Sequence, residues 1–478
     1  MNKRAGGAHA GQLRLRGKSA LALALCWLPW TTPAQDAPPP TRLAPSELVL
    51  QLDVTLSSLP IPPVRDTPLE LNEGVRLAVN RHPSIADAVA LLSQQLGGVD
   101  VARAGYYPQI RAGVSSGANS ASSTAGRNST LATVSLSQML YDFGKVDGSV
   151  SQAEAGVRRQ QATILKQIDA VARDAGGAVV QAHRYQELAA IAREQVEAVT
   201  KVLEMTQLRA KAGISTKADP VQAQARVDAA HAGQLQAETL ERQWNERLRT
   251  LIGVPADKGI ASLPERAFQE VSPQEAPDVR LLPDVLIAEA DRQAAQGQLA
   301  QAKAQRWPTV SLDLSANKAL RGVNPSTLER DGTYHTVMVN LSSAVYQGGA
   351  LNAQVRAATA AEEAARQRIE TARLNAGDAA RSFREQLAGA ALRLNVLAKR
   401  KQSIAEALEL YREQYKLGTR SILDLLNAEQ EFYQARSDEE GLKHDLWQSL
   451  IGYIDAVGQS REFYGLNDTT IQGMEIRP

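Results

Sequence analysis

The stretch that decides the fold is LYREQYKLGTRSILDLLNAEQEFYQAR, from Leu410 to Arg436. It reads as a helix, a break at Gly418-Thr419, and a second helix that starts at Ser421. A glycine closing a long helix supplies a left-handed C-cap, and Ser, Thr or Asp opens the helix that follows. QLRAKAGISTKADPVQAQARV, from Gln207 to Val227, reads the same way: it breaks at Gly213 and restarts through Ser215, Thr216, Asp219 and Pro220. Gly213 aligns with Gly418, and Asp219 with Asp424. Two helical hairpins with the same tip chemistry are expected.

Working outward from the tips, the two halves of the chain match in order. Pro83 and Pro108 bracket one helical segment, and Pro283 and Pro308 bracket another of equal length. ARAGYYPQI (102–110) aligns with AKAQRWPTV (302–310), and YDFG (141–144) with YQGG (346–349). Each half therefore runs helix, strand, strand, long helix, hairpin tip, helix, which points to an internal duplication. The expected organisation is an export signal at 1–34, a proline-rich arm at 35–67, a first repeat at 68–265, a linker at 266–279, a second repeat at 280–458, and a loosely ordered tail at 459–478.

The strands alternate with period two. Ala132, Val134, Leu136 and Leu140 share one face while Thr133, Ser135 and Ser137 share the other. In the second half Val310, Leu312, Leu314 and Ala316 oppose Ser311, Asp313 and Ser315; Val337, Val339, Leu341 and Val345 oppose Met338, Asn340 and Ser342. About ten residues with one apolar and one polar face is the pattern of an outer-membrane strand, lipid on one side and water on the other. A half-buried strand of a soluble sandwich alternates in the same way, but two hairpins cannot close a sandwich core. Neither long helix, Lys145 to Lys211 or Ala350 to Leu417, contains a proline, and each would extend about 100 Å. In the second, Ala390, Leu394, Leu397, Lys401, Ile404, Leu408, Tyr411 and Tyr415 keep four-three heptad spacing, with Ala391, Ala398 and Ala405 alongside. Such seams pack by coiled-coil rules, and helices with more than one packing face suit a cylinder. One chain cannot close that cylinder, so a cyclic oligomer is implied.

Composition narrows the function class. Among 478 residues the formal net charge is +1, which offers no field for nucleic acid. The single cysteine, Cys26, falls in the leader, where a basic lead (Lys3, Arg4, Arg14, Arg16, Lys18), an apolar core and Thr32-Pro-Ala34 read as a secretory signal. Leu25 before Cys26 departs from a lipoprotein site. The six histidines show no metal-ligand spacing, so no metal or cofactor is expected. Gly113-Val-Ser115-Ser-Gly117 matches the nucleophile-elbow pattern literally, but that motif needs a helix directly after its strand, whereas this one enters a Ser/Gly/Asn loop. No enzyme is expected.

The duplicated plan and the tip GTRSILDLLNA (418–428) resemble the TolC family of outer-membrane export channels, over essentially residues 68–458. The resemblance implies an α+β membrane protein: a homotrimer sharing a twelve-stranded barrel, four strands per chain, continuous with a periplasmic helical tunnel. It implies an outer membrane of a Gram-negative bacterium, a periplasmic adaptor and an inner-membrane transporter, of ABC type for type I secretion. By matching position, Asp219, Tyr415 and Arg420 would latch the closed tips, since an Arg fork and a phenol hydroxyl can share one carboxylate. Alternatively each is a surface polar group near a turn, and Asp219 a helix cap. Asp424 matches the first of two aspartates that ring the entrance in some members; the second position here is Asn427, which departs from that pattern. The absent lipoprotein cysteine and the GTR tip favour secretion of a protein such as an RTX toxin. Multidrug efflux, or a periplasmic coiled-coil adaptor, are the alternatives.

Overall fold

Proline and glycine punctuate the chain where the elements change. The computed structural model describes residues 67–118, 128–256, 258–264, 268, 279–322, 324, 326–327, 329–330 and 332–476. The expected signal, nearly all of the proline-rich arm and most of the linker lie outside these residues. The first helical segment is divided at His82 into α1 (Leu71–Arg81) and α2 (Pro83–Arg103), because Pro83 can open a helix but not continue one. There follow β1 (Gln109–Ala118), β2 (Asn128–Tyr141), α3 (Lys145–Lys211) and α4 (Ala218–Ile252). The second half gives α5 (Pro283–Ala304), β3 (Thr309–Arg321), β4 (Thr333–Ser342), α6 (Ala350–Lys416) and α7 (Ile422–Ala456). The two halves agree in length: α3 and α6 each have 67 residues, and α4 and α7 each have 35.

The four strands form one antiparallel sheet in the order β1-β2-β3-β4, so the hairpin of each half joins the other through β2 and β3. Register carries the sequence alternation across the sheet. Ile110 faces Leu136, Leu136 faces Leu314, and Leu314 faces Val337, an apolar row on one face. On the other face Arg111, Ser135, Ser315 and Thr336 form a polar row. Ser137 donates to Asp313 at 2.5 Å and Thr133 to Asn317 at 2.7 Å, so the polar face is also cross-linked by hydrogen bonds. The apolar row is uncovered at its ends: Ile110 is 64 % and Val337 71 % exposed. Neither outer edge is paired by another strand among the described residues. Strand β4 ends at Ser342, so Val345, expected on its apolar face, lies beyond it in the connection to α6. Ser115 of the nucleophile-like motif sits within β1 opposite Leu131.

The turn from β2 into α3 is set by Asp142, whose carboxylate accepts from the backbone N–H of Gly144 at 2.9 Å and of Val146 at 2.6 Å. Below it α3 is the hub: its middle, from Val157 to Ala182, packs on α1, α2 and the second half of α7 in the main core. Close approach is purchased with glycine where α3 crosses α5. A Cβ on Gly148 would stand 2.7 Å from the Gln301 backbone nitrogen, and one on Gly297 2.7 Å from that of Gln152.

The tail differs from expectation. Residues 459–478 were expected to be loose, yet α8 (Ser460–Phe463) and the hairpin β5 (Thr469–Ile471) with β6 (Met474–Ile476) pack into the main core. Tyr464, Leu466, Ile471, Met474 and Ile476 are buried, and Arg461 meets Asp169 of α3 at 3.3 Å, both side chains almost wholly covered. Such short elements carry no period long enough to read; long-range burial holds them.

Replacing Gly148 by Leu, a better helix former than glycine, should nonetheless destabilise the protein by about 1–3 kcal/mol through overpacking. Thermal unfolding of detergent-purified protein by circular dichroism checks this. An unchanged Tm would mean that the crossing is looser than described.

Candidate functional site

The hairpin tips carry the predicted site residues, and both tips close by the same hydrogen bonds. At the first, Gly213 N–H reaches Ala210 O at 3.1 Å and Ile214 N–H reaches Arg209 O at 2.9 Å. At the second, Gly418 N–H reaches Tyr415 O and Thr419 N–H reaches Gln414 O, each at 3.0 Å. These are Schellman closures, and Gly213 (φ +71°) and Gly418 (φ +77°) occupy the left-handed position that they require. Ser421 then caps α7, its hydroxyl accepting from Asp424 N–H at 3.2 Å.

The tips have a small core of their own, separate from the main one. Val199, Val202 and Leu203 of α3 and Ala223 of α4 meet Leu408, Tyr415, Ile422, Leu425 and Leu426 of the second hairpin. Leu408 and Tyr415 belong to the heptad seam read from the sequence, and both are buried. Beside this core, Glu429 of α7 is only 1 % exposed and accepts from Arg412 of α6, Nε–H at 2.9 Å and Nη2–H at 2.7 Å. Burial pushes the Glu429 carboxyl up despite the opposing pull of Arg412.

The expected latch residues lie at the tips, but within one chain they do not form the expected shared carboxylate. The Asp219 carboxylate accepts from Thr216 Oγ1 at 2.7 Å. Tyr415 feels Asp219 electrostatically, yet its hydroxyl is buried with no hydrogen-bond partner among the described residues. Arg420 stays on its own hairpin, 3.9 Å from Asp424 and stacked over the Tyr411 ring at 4.2 Å. Asn427 is held by Arg226 of α4, whose Nη2–H donates to it at 3.0 Å while Nη1–H donates to Gln430 at 2.6 Å. Arg209 of α3 lies over the Tyr415 ring at 5.0 Å and donates to the carbonyls of Tyr415 and Lys416, each at 3.3 Å. Sequence reasoning missed Arg209, Arg226 and Glu429: only the Gly213 and Gly418 alignment, which sets the hairpins side by side, bore on them.

Away from the tips, α3 and α7 are joined by crossed charges: Arg173 to Asp455 at 2.8 Å, Arg184 to Asp445 at 2.7 Å, and Glu194 to Arg436. Between them the fold brings together two histidines that looked scattered in the sequence. His183 Nδ1–H donates to His444 Nε2 at 2.7 Å, and His444 Nδ1–H donates to Glu440 O at 2.8 Å, the tautomers being those the network requires. Burial lowers both imidazoles, only partly opposed by Glu187 and Glu440; His183 and then Arg184 depress His444 further. No group of three or more metal-ligating side chains is formed among the described residues.

An uncovered apolar sheet face above paired helical hairpins is the form of a membrane-inserted sheet with a long helical extension. The chain belongs to the outer membrane efflux protein family, whose model matches residues 74–254 and 281–459. It is 25 % identical to the outer membrane protein TolC of Vibrio cholerae, over 80 % of this chain and 90 % of that one. It is also 25 % identical to the alkaline protease secretion protein AprF of Pseudomonas aeruginosa, over 71 % of this chain and 70 % of that one. The fold is that of the Campylobacter jejuni CmeC outer membrane channel, with TM-score 0.71 at 14 % identity, covering 89 % of this chain and 95 % of that one. The resemblance to TolC channels and the outer-membrane location are thereby established.

The histidine pair has a signed pH dependence. Imidazoles lowered in the folded state leave the unfolded chain binding more protons, so their contribution is complete above the ordinary value of 6.5 and is lost as pH falls below it. Relative to a His183→Gln, His444→Gln double variant, which keeps the oppositely signed Asp169, the wild-type melting temperature should therefore fall as pH drops from about 7.5 to about 5.5. Identical slopes would remove the pair from the account.

Proposed function

We propose that this protein is the passive outer-membrane exit duct of a tripartite export system and that it exports a protein through type I secretion. Its working form is a homotrimer, three four-stranded sheets closing a barrel of twelve strands and three pairs of hairpins forming the periplasmic tunnel. A periplasmic adaptor and an inner-membrane transporter of ABC type would recruit it. The observation that carries this reading is the sheet: one apolar face open, one polar face hydrogen-bonded, and both edges unpaired among the described residues. In hydrocarbon such edges must be closed, and only further copies of the same strands supply matching ones. Nothing in the reading calls for catalysis or a cofactor.

The choice of protein cargo is supported by the relative AprF, whose name states protease secretion. Multidrug efflux is the second reading, favoured by the family's description as outer membrane efflux proteins. For the gate, we assign Arg420 to Asp219 of a neighbouring copy, since among the described residues of its own chain Arg420 meets Asp424 and Tyr411 of its own hairpin. Tyr415, whose hydroxyl is buried without a hydrogen-bond partner among the described residues, would complete that latch by turning out of the tip core. With Asn427 in the second ring position, the entrance would carry only the Asp424 charges.

Deleting the gene should remove one large protein from the culture medium while leaving drug susceptibility unchanged. Comparing the secreted proteins and growth inhibition of parent and deletion strains checks both together. An unchanged set of secreted proteins with heightened drug sensitivity would move the protein to the efflux branch.

A further inference from the structure

Both arginines that link the two hairpins of one chain near the tips act on uncharged acceptors. Arg209, in the last turn of α3, grips the C-terminal end of α6 through two carbonyls and the face of Tyr415. Arg226, in α4, grips α7 through the side-chain oxygens of Asn427 and Gln430. One contact seizes the descending helix of the second hairpin, and the other seizes its ascending helix. Carboxylates that could have served instead are engaged locally, Asp219 by Thr216 and Asp424 by Arg420.

We infer that Arg209 and Arg226 form a two-point clasp that holds the second hairpin against the first within each protomer, so that opening the gate requires both to release. The inference rests on the gate reading given above and adds to it a lock inside the protomer, distinct from any latch between copies. Its chemistry has a consequence. A guanidinium stays charged at all working pH, and its planar fork suits two acceptors at once, as Arg226 uses it. The acceptors are amide oxygens, backbone carbonyls carrying the negative end of a helix, and the face of Tyr415, whose phenol burial holds above its ordinary range, so none changes charge near neutral pH. Charge-to-neutral hydrogen bonds also lose less to salt than exposed ion pairs do. The clasp is therefore set against pH and ionic strength, and its release needs mechanical displacement of one hairpin, the action an adaptor docking on the tips can supply. Asn427 is the residue that makes it so: Asp at this position would turn the Arg226 contact into an ion pair.

The test uses the purified full-length protein in planar lipid bilayers, comparing wild type with Arg226→Ala, Arg209→Ala, the double variant, Arg420→Ala and Asn427→Asp. Alanine is the best helix former, so the backbone at both arginines is retained. Each single clasp variant should raise the open-to-closed ratio on the order of tenfold, the scale of one charged hydrogen bond, and the double variant further. The ratio relative to wild type should hold between about 0.1 and 1 M salt. Asn427→Asp should close the channel more tightly at low salt and lose that gain at high salt. Arg226→Lys should restore only part of the closure, because an ammonium lacks the fork. If Arg420→Ala opens the channel while the Arg209 and Arg226 variants conduct like wild type, the gate stands and the clasp is refuted. If no variant changes conduction, the gate reading fails and the clasp with it.

Discussion

The constraint on which the rest depends is the unmet hydrogen-bonding of the sheet's two edges. Strands β1 and β4 each present a row of N–H and C=O groups to which no described strand bonds. In water such edges are a hazard of aggregation; in hydrocarbon they are untenable. The apolar row from Ile110 to Val337 shows which side faces lipid, and the Asp313, Ser137 and Asn317 network shows which side faces water. A sheet with these two faces, and two edges unpaired among the described residues, is what the proposed barrel would need from each copy. The duplication supplies the means, since it is the direct pairing of β2 with β3 that fuses the hairpins of the two halves into one piece of wall.

Below the sheet the same duplication sets the helices. The 67-residue helices α3 and α6 descend and the 35-residue α4 and α7 return, so each hairpin delivers a glycine-closed tip at a corresponding place. Burial is divided between a large core around the middle of α3 and a small one at the tips. That division matters mechanically. The tips can rearrange by breaking a small apolar cluster and a few hydrogen bonds while the main core, into which the C-terminal hairpin is also packed, stays intact. Crossed charges between α3 and α7 hold the register of the two hairpins over the length between.

Much of this was legible in the sequence because it repeats or has a long period. The bounds of α3 were read to the residue, since nothing between Gly144 and Ala212 interrupts the pattern. Alternation gave the strand faces, and glycine followed by Ser or Thr gave the tips. Legibility failed wherever meaning lies in a pair distant along the chain. His183 and His444 are separated by 261 positions, and neither is unusual until the fold brings the rings together. Arg226 and Asn427 are 201 apart, and a lone arginine on a polar helix face carries no signal of its partner. The expected latch residues lie at the tips as expected, but their matching positions could not show that Thr216 and Tyr411 engage Asp219 and Arg420 within the chain. Residues 459–476 read as loose because elements of three or four residues have no period; Arg461 and Tyr464 place them through burial alone.

The central claim, that this chain is one third of a closed barrel and tunnel, is tested most directly by its mass in detergent. Light scattering on the chromatographed complex, corrected for bound detergent, should give three times the mass of one chain. A monodisperse monomer that retains its sheet signal in circular dichroism would show that the edges are satisfied within one chain, and would contradict the account.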